Sequence, residues 1–260
     1  MIQFQSVTKR YGDSSAHALQ DVSFEVQAGE LVALVGGSGS GKTTTLKCIN
    51  RLIEPDSGEV RVDGKPVRTQ PGPALRRHIG YVFQGIGLFP HMSVAENIGI
   101  TPQLLGWERT RIAARVDVLL DLVELPREFA SRAPSALSGG QRQRVGVARA
   151  LAAEPKLVLM DEPFGALDPV TRDTLGRAYR KLHEQMQLTS VLVTHDMLEA
   201  LLLADRIIVM QSGRVLANDT PQHLLQSDTH PAVRELLDMP RKQAERLQSL
   251  FPAPEPDKHA

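Results

Sequence analysis

The run Gly36 to Thr43 constrains the fold of this chain more than any other feature. It reads Gly-Gly-Ser-Gly-Ser-Gly-Lys-Thr and directly follows the apolar run Leu31 to Val35. Strand, glycine turn and helix in that order form the context of a phosphate-binding loop. The glycines let successive N–H groups point into one concavity, and the helix that begins near Lys42 adds its positive dipole end. The alternative, a glycine-rich turn without a ligand, is disfavoured by the eight-residue match.

Two side chains of this run suit a nucleoside triphosphate that binds together with magnesium. Lys42 is placed to contact the β- and γ-phosphates, and the Thr43 hydroxyl can ligate Mg²⁺. Apolar residues at helical spacing predict that the following helix extends to Pro55. These residues are Leu46, Ile49, Leu52 and Ile53.

Composition limits the class of protein. A chain of 260 residues fits one large domain or one domain with a sizeable insertion. Thirty basic residues balance thirty acidic ones, so the sequence lacks the charge of a general nucleic-acid binder, and we expect no nucleic-acid partner. The single cysteine, Cys48, is expected to be a small core residue. No stretch approaches the roughly 18 apolar residues of a spanning helix, so we expect a cytosolic chain that is at most peripheral to a membrane.

The apolar pattern predicts an α/β core with a helical insertion. Residues 22–26 and 60–62 alternate in polarity, as half-buried antiparallel strands do. Residues 157–160 and 191–193 are uninterrupted apolar runs, which suit buried strands of a parallel sheet. Between them, residues 85–155 have helical spacing. The signals there are a capping box at Ser93 to Glu96 and an apolar stripe from Ile112 to Val123 in a helix ending at Pro126.

The C-terminal part of the chain predicts a hairpin and then a helix. Residues 207–210 and 214–217 read as two strands joined by Gln211-Ser212-Gly213, and Thr220-Pro221 starts a helix with a cap and an N1 proline. The last twenty or so residues, rich in proline and charge, are expected to be loosely ordered.

Two carboxylates end the predicted strand 157–160. Asp161 fits the acidic residue that holds Mg²⁺, and Glu162 is placed to act as general base on a water behind the γ-phosphate. A strand that ends in Asp-Glu is common, so this assignment depends on the phosphate-binding loop upstream. A third motif, Leu137 to Gln141, opens a helix with a serine hydroxyl and bare glycine N–H groups. These groups suit a second anion site, although an ordinary helix cap is the alternative.

Leu-Ser-Gly-Gly-Gln at residues 137–141 is the signature sequence of ATP-binding-cassette ATPases, and the chain resembles the nucleotide-binding subunit of such a transporter to about residue 235. Further motifs carry the resemblance. Gln84 matches the glutamine-loop residue, Ala166 to Asp168 match the aspartate loop (D-loop), and His195 matches the switch histidine that bonds the γ-phosphate. Tyr11 matches the aromatic residue that stacks on adenine. Taken singly, a surface amide, a core histidine and a strand-end aromatic are the alternatives.

The resemblance implies a set of site residues. Those for ATP are Tyr11, Gly36, Gly37, Ser38, Gly39, Ser40, Gly41, Lys42, Thr43, Thr44, Gln84, Asp161 and His195. The catalytic residues are Glu162, His195, Gln84 and Lys42, and the Mg²⁺ ligands are Thr43, Gln84 and Asp161. In the family, the signature of one subunit covers the ATP of the other. We therefore expect a homodimer in which Ser138, Gly139, Gly140 and Gln141 act on the partner chain's ATP and Asp168 lies at the interface.

The implied fold is a P-loop NTPase, a RecA-like parallel-sheet core with an antiparallel β subdomain and an inserted α-helical subdomain. Residues 1–84 are expected to form the first part of the core with the β subdomain and the phosphate-binding loop. Residues 85–155 are expected to form the α-helical subdomain, residues 156–220 the second part of the core, and residues 221–260 a helical tail.

Within the family, the chain is similar to bacterial importers of glycine betaine, choline, carnitine and related osmoprotectants. The segments that carry this similarity are residues 51–58, 85–98, 104–107 and 164–169. The resemblance implies membrane permease subunits as partners, a solute-binding protein outside the membrane as an indirect partner, and a place on the cytoplasmic face of the inner membrane. Ile86, Leu88 and Phe89 would suit the surface that receives the permease, with packing inside the helical insertion as the alternative.

Several alternatives stay open from the sequence. An importer of amino acids, sulfonates or other small polar solutes would share these motifs. A soluble cassette ATPase acting on DNA or ribosomes usually carries a coiled coil, two cassettes or a basic surface, and a non-catalytic regulatory cassette would not need Glu162, Gln84 and His195. Some betaine-type ATPases carry a pair of regulatory domains after the cassette. We expect none here, because only a short helix around residues 232–237 and a polar tail follow Leu225.

Overall fold

The structure is a computed structural model, and it describes residues 1–12, 17–85, 87–165, 167–226, 230–238 and 242. The strands are β1 Ile2–Arg10, β2 His17–Val26, β3 Leu31–Val35, β4 Ser57–Val62, β5 Lys65–Pro66, β6 Ile79–Val82, β7 Leu157–Asp161, β8 Thr189–Thr194, β9 Arg206–Gln211 and β10 Arg214–Asp219. The α-helices are α1 Lys42–Ile49, α2 Gly72–Arg77, α3 Val94–Leu104, α4 Arg109–Leu122, α5 Gly139–Leu151, α6 Pro169–Met186, α7 Met197–Leu203 and α8 Pro221–Gln226. Residues 231–238 are also helical.

A mostly parallel sheet forms the centre of the fold. Its strand order is β10-β9-β3-β8-β7-β6, and β10 alone pairs antiparallel, at the edge. Every residue of β3, β7 and β8 is buried, because the two hydrophobic clusters of the core lie on opposite faces of this sheet. Burial on both faces explains the uninterrupted apolar runs of these strands and confirms the predicted α/β core.

A second, antiparallel sheet has the order β2-β1-β4-β5. Val22, Phe24 and Val26 of β2 and Val60 and Val62 of β4 point into the core, while the residues between them are at least partly exposed. The predicted alternation is therefore confirmed. This sheet packs its apolar face on the same cluster as one face of the parallel sheet, and the two sheets share one core.

Helices α3, α4 and α5 lie in the chain between β6 and β7, as the spacing predicts. The capping box at the start of α3 is present, because Ser93 accepts from the Glu96 N–H and Glu96 accepts from the Ser93 N–H at 2.7 Å. Val116, Leu119 and Leu120 of α4 are buried in one hydrophobic cluster. Val145, Ala148 and Leu151 of α5 belong to the same cluster. The segment boundaries at residues 84, 155 and 220 stay predictions.

Two helices end earlier than their apolar spacing predicts. α1 ends at Ile49 instead of reaching Pro55, because Arg51 takes a left-handed conformation (φ 53°) and the Leu52 N–H bonds to the Lys47 carbonyl at 2.9 Å. α4 ends at Leu122 by the same device, with Glu124 at φ 53°. Both endings are Schellman motifs in which a non-glycine residue takes the place where glycine is usual. Because neither Arg51 nor Glu124 is a glycine, the sequence does not indicate where these two helices end.

The predicted hairpin and the helix after it are confirmed as β9, β10 and α8. Val233 and Leu237 of the helical residues 231–238 are buried in the main core cluster. The expected loose order of the last twenty residues falls on residues 239–260, which lie outside the described part of the chain apart from residue 242.

A buried histidine fastens α6 to the sheet. His183 lies with its Nε2 3.2 Å from the Gly29 carbonyl and its Nδ1 3.0 Å from the Ser190 hydroxyl. Because a carbonyl only accepts, Nε2 carries the proton and Nδ1 accepts from Ser190. Burial lowers the pKa of His183, so the folded protein keeps the ring neutral.

We expect acid to weaken the fold through this residue. As the pH falls through about 6.5, the unfolded chain binds a proton at position 183 while the folded ring stays neutral, so the free energy of unfolding decreases. His183→Gln should flatten the stability profile between pH 7.5 and pH 5.5 and cost about 1 to 3 kcal/mol at pH 7.5. Urea unfolding across this range measures both effects. His78→Gln, at an exposed position, is the control, and a His183→Gln profile with the wild-type slope would contradict the assignment.

Candidate functional site

The P-loop, residues 36–43, connects the end of β3 to the first turn of α1. Two of its glycines are required by close approach of other backbone. A Cβ on Gly36 would lie 2.1 Å from the Met210 carbonyl, and a Cβ on Gly41, at φ 106°, would lie 2.5 Å from the Ala18 carbonyl. Gly37 and Gly39, in contrast, have no heavy atom within 4 Å of a built Cβ. The loop is therefore clamped at its two ends and open in the middle, where a phosphate cradle needs space.

Lys42 lies buried at the start of α1 and holds the loop in its curl. Its Nζ donates to the carbonyls of Gly36 and Gly37 at 2.7 and 2.9 Å and to the Ser40 hydroxyl at 3.3 Å. Burial lowers the pKa of Lys42, and the carboxylates of Glu162 and Asp161 oppose that shift. The two carboxylates favour the charged ammonium despite its burial, and a charged ammonium in a desolvated site interacts strongly with phosphate oxygens.

Thr43 and Asp161 bring a hydroxyl and a carboxylate together beside the loop. The Thr43 hydroxyl donates to Asp161 Oδ1 at 3.0 Å, and burial raises the pKa of Asp161. Both are hard oxygen ligands of the kind that Mg²⁺ takes. Within the described residues, no group of three or more His, Cys, Asp and Glu side chains could hold a metal ion unaided. The donor set fits Mg²⁺ that shares its coordination with phosphate oxygens and water.

Glu162 lies at the centre of a contact between three loops. Gln84 Nε2 donates to Glu162 Oε2 at 3.2 Å, and His195 Nδ1 lies 3.5 Å from Glu162 Oε1. These side chains follow β6, β7 and β8, which are neighbours in the sheet. Glu162 has a left-handed backbone (φ 49°), and its N–H bonds to the Val193 carbonyl at 2.9 Å. Residues predicted separately from three strands therefore meet at one place.

Tyr11 lies at the end of β1, next to the first turn of α1. Its hydroxyl is 3.2 Å from the Thr44 hydroxyl, and 48% of the residue is exposed. The structure thus places Tyr11 beside the P-loop helix with much of its surface available. Thr44, which faces it, is nearly buried.

The signature residues form the N-terminus of α5. Ser138 caps the helix by accepting from the Gln141 N–H at 3.2 Å, and the Gln141 side chain accepts from the Ser138 N–H at 2.9 Å. Gly139 has free space around it, while a Cβ on Gly140 would lie 3.1 Å from the Leu167 side chain. In the described part of the chain, no hydrogen bond connects residues 138–141 to the P-loop. Within one chain the two motifs are therefore separate.

Asp168 of the D-loop caps α6, since its Oδ1 accepts from the Thr171 N–H at 3.0 Å. Sequence reasoning missed the groups around His195, namely Arg172, Thr194, Asp196 and Glu199. Asp196 caps α7 and pairs with Arg172. An aspartate just before a helix is a typical N-cap, so the sequence could have indicated Asp196. No sequence pattern indicates that Arg172 of α6 pairs with it.

The family model described as ABC transporter matches residues 19–165. The chain belongs to the ABC transporter family. It is 47% identical over 241 residues, 93% of its length, to the carnitine transport ATP-binding protein OpuCA of Listeria monocytogenes, and it spans about 60% of the length of that relative. It is 50% identical over 235 residues to the glycine betaine uptake system ATP-binding protein YehX of Escherichia coli K12, which covers 90% of this chain and 76% of YehX.

A solved structure of the same family supports the fold. The ATP-binding cassette MJ0796, in a dimeric post-hydrolysis state bound to ADP and Pi, superposes with a TM-score of 0.78 at 35% identity, covering 85% of this chain and 99% of the cassette. The expected P-loop NTPase fold is confirmed.

The close backbone contact at Gly41 can be tested through the free energy of unfolding. Gly41→Ala forces an alanine into a left-handed conformation and its methyl group against the Ala18 carbonyl, so we expect a loss of at least about 1 to 3 kcal/mol. Gly37→Ala has neither constraint and should leave the free energy of unfolding unchanged or raise it by up to about 1 kcal/mol. Chemical denaturation of both variants makes the comparison. Equal stabilities would contradict the clamp at Gly41.

Proposed function

We propose that this chain is the ATP-hydrolysing subunit of a bacterial ABC importer. The observation that carries the proposal is the meeting of Gln84, Glu162 and His195 beside the Thr43–Asp161 pair and the Lys42 loop. A loop for phosphate, oxygen ligands for Mg²⁺ and a carboxylate held between two polar side chains are the parts that phosphoryl transfer to water requires.

ATP binding is assigned to the P-loop with Thr44 and Tyr11. Residues 36–43 hold the β- and γ-phosphates with their N–H groups and with Lys42, and the half-exposed Tyr11 ring provides a surface for the adenine. Thr43, Asp161 and Gln84 would hold Mg²⁺ together with the phosphates. When bound, Mg²⁺ neutralises charge that develops on the phosphate oxygens.

Hydrolysis is assigned to Glu162 as general base. One of its oxygens accepts from Gln84 and the other faces His195, so the carboxylate has a fixed direction in which to accept a proton from water. His195 is 65% exposed and can turn towards a γ-phosphate in front of Glu162. Lys42 contributes its charge to the developing phosphate anion.

The working form is a homodimer. Residues 138–141 present a capped helix N-terminus and an open Gly139, but among the described residues they form no hydrogen bond to the P-loop of their own chain. A second copy, arranged head to tail, would bring these residues and Asp168 to the other chain's ATP. The dimeric form of the MJ0796 cassette supports this arrangement.

The membrane partner is a permease that docks on an apolar groove between residues 50–89 and α3. The groove has a volume of about 530 Å³, and exposed Leu52, Phe83, Phe89 and Leu104 line it together with Arg76 and Arg77. Such a surface suits an amphipathic helix. Of the residues expected to line it, Phe89 does, Leu88 packs partly buried against the core instead, and Ile86 lies outside the described residues.

The transported solute is a quaternary-amine osmoprotectant such as glycine betaine, choline or carnitine. The carnitine and glycine betaine systems named for the relatives support this assignment. Amino acids and other small polar solutes are the alternative, because the solute contacts the permease and a solute-binding protein outside the membrane instead of this chain. Among the described residues, no helix combines the length and apolarity that crossing a membrane requires.

We place the chain on the cytoplasmic face of the inner membrane as a peripheral subunit, and the relatives named as transport ATP-binding proteins support this placement.

Glu162→Gln tests the general base. The amide keeps the shape of the side chain but accepts no proton, so we expect phosphate release to fall by at least about 10²-fold while ATP binding persists. Size exclusion with ATP and Mg²⁺ should show a dimer that lasts longer than that of the wild type. Glu128→Gln, at an exposed position, is the control. A Glu162→Gln variant with the wild-type rate would exclude this role.

Leu104→Asp tests the groove. Leu104 and Val118 are exposed to the same extent, 57% and 56%, but only Leu104 lines the groove. Leu104→Asp should abolish copurification with the permease and solute uptake and leave the ATPase rate of the isolated subunit within about twofold, because a buried carboxylate opposes docking. Val118→Asp should leave copurification, solute uptake and the ATPase rate unchanged. Equal effects of the two substitutions would place the permease elsewhere.

A further inference from the structure

The direction of the His195 ring depends on a short stretch of backbone. Thr194 ends β8, His195 follows, and Asp196 caps α7 by accepting from the N–H groups of Leu198 at 2.9 Å and Glu199 at 3.3 Å. The His195 side chain is largely exposed, and its Nδ1 lies 3.5 Å from Glu162 Oε1. Whatever fixes residues 194–196 therefore fixes the switch histidine.

Arg172 holds this stretch from another helix. Its Nη1 lies 3.1 Å from Asp196 Oδ2, the carboxylate oxygen that is not used for the helix cap. Both side chains are partly buried, at 32% exposure, so the pair is shielded more than a surface ion pair is.

The same guanidinium reaches the D-loop. Arg172 Nη2 donates to the Leu167 carbonyl at 3.3 Å, one residue before Asp168. Leu167 also lies against the signature, since its side chain would be 3.1 Å from a Cβ at Gly140. One planar group thus connects the turn that carries Asp168 to the turn that carries His195.

A second anchor holds the other side of the histidine turn. The Thr194 hydroxyl accepts from the Asp196 N–H at 3.0 Å and donates to Glu199 through a short hydrogen bond. Burial raises the pKa of Glu199 to about 7, and the charges of Asp196, Arg172 and His195 act on it as well. Glu199 belongs to α7, so this anchor cannot transmit movement of the D-loop, whereas Arg172 on α6 can.

We propose that Arg172 is a positioning residue that couples the D-loop to the switch histidine. Placement of Leu167 and Asp168 at a dimer interface is thereby transmitted through Asp196 to His195. The proposal rests on the proposed function, since it concerns how His195 is set for hydrolysis. In the described part of the chain, the side-chain hydrogen bonds of Arg172 go to Leu167 and Asp196, neither of which is assigned to ATP or Mg²⁺.

Arg172→Met is the first test. We expect kcat for ATP hydrolysis to fall about tenfold with KM for ATP within twofold, because the chemistry loses a positioned group and nucleotide binding does not. Arg172→Lys keeps the charge but lacks the planar fork whose two nitrogens reach Asp196 and Leu167, so its kcat should lie between those of the wild type and Arg172→Met. Arg177→Met is the control, since Arg177 lies exposed on the same helix and, among the residues that the structure describes, pairs with Asp173 alone.

A double-mutant cycle with Asp196→Asn separates coupling from loss of structure. Asparagine keeps a capping oxygen for α7 but removes the charge that Arg172 binds. If Arg172 acts through Asp196, the Arg172→Met/Asp196→Asn double variant should be no slower than Arg172→Met alone. Independent, multiplying effects, or a wild-type kcat in Arg172→Met, would overturn the proposal.

An NMR measurement keeps the proposal testable without ATPase activity. In protein with labelled histidine, with His195→Ala to assign the signal, the His195 ring resonance should shift in Arg172→Met and stay in place in Arg177→Met. An unmoved resonance would overturn the coupling. A wild-type protein that hydrolyses no ATP, with the resonance shifted as expected, would instead count against the proposed function alone.

Discussion

The parallel register of four strands is the constraint on which the site depends. Val35 of β3 pairs with Thr194 of β8, Val193 pairs with Asp161 of β7, and Met160 pairs with Val82 of β6. The strands therefore end within about one residue of each other at the same edge. The next residues along the chain are the P-loop, His195, Glu162 and, after Phe83, Gln84. A slip of one residue would reverse the face of every side chain on that strand.

The parts of the fold that the sequence predicts are those in which a local pattern and tertiary burial agree. Strands β3, β7 and β8 are apolar throughout because both of their faces are covered, and β2 and β4 alternate because only one face is. The caps at Ser93 and Ser138 are equally local, since donor and acceptor lie within four residues. In the site, the positions of the P-loop and Glu162 could be predicted because each directly follows an apolar strand, while their roles stay predictions.

The features that escape prediction depend on contacts between residues distant in sequence or on backbone that side chains do not reveal. Arg51 and Glu124 end helices in a left-handed conformation without glycine, so no residue type signals the end. The sequence left open whether Leu88 lines the groove or packs inside the helical insertion, and in the structure it lies partly buried against the core. Arg172 and Asp196 are 24 positions apart in the chain, so no local pattern connects them. From the sequence alone, an arginine in the first turns of a helix is expected to lie in solvent.

The strained backbone of Glu162 shows how closely the register and the site are joined. A glutamate at φ 49° is an unusual residue in the left-handed region and costs on the order of 1 kcal/mol or more. The Glu162 N–H is held by the Val193 carbonyl, so the parallel pairing of β7 with β8 continues one residue beyond Asp161 while the chain turns. Because of this turn, Asp161 stays buried against Thr43 and the adjacent Glu162 faces Gln84 and His195. Two neighbouring carboxylates thereby acquire different surroundings through the sheet, and the proposed division of roles between a Mg²⁺ ligand and a general base rests on this difference.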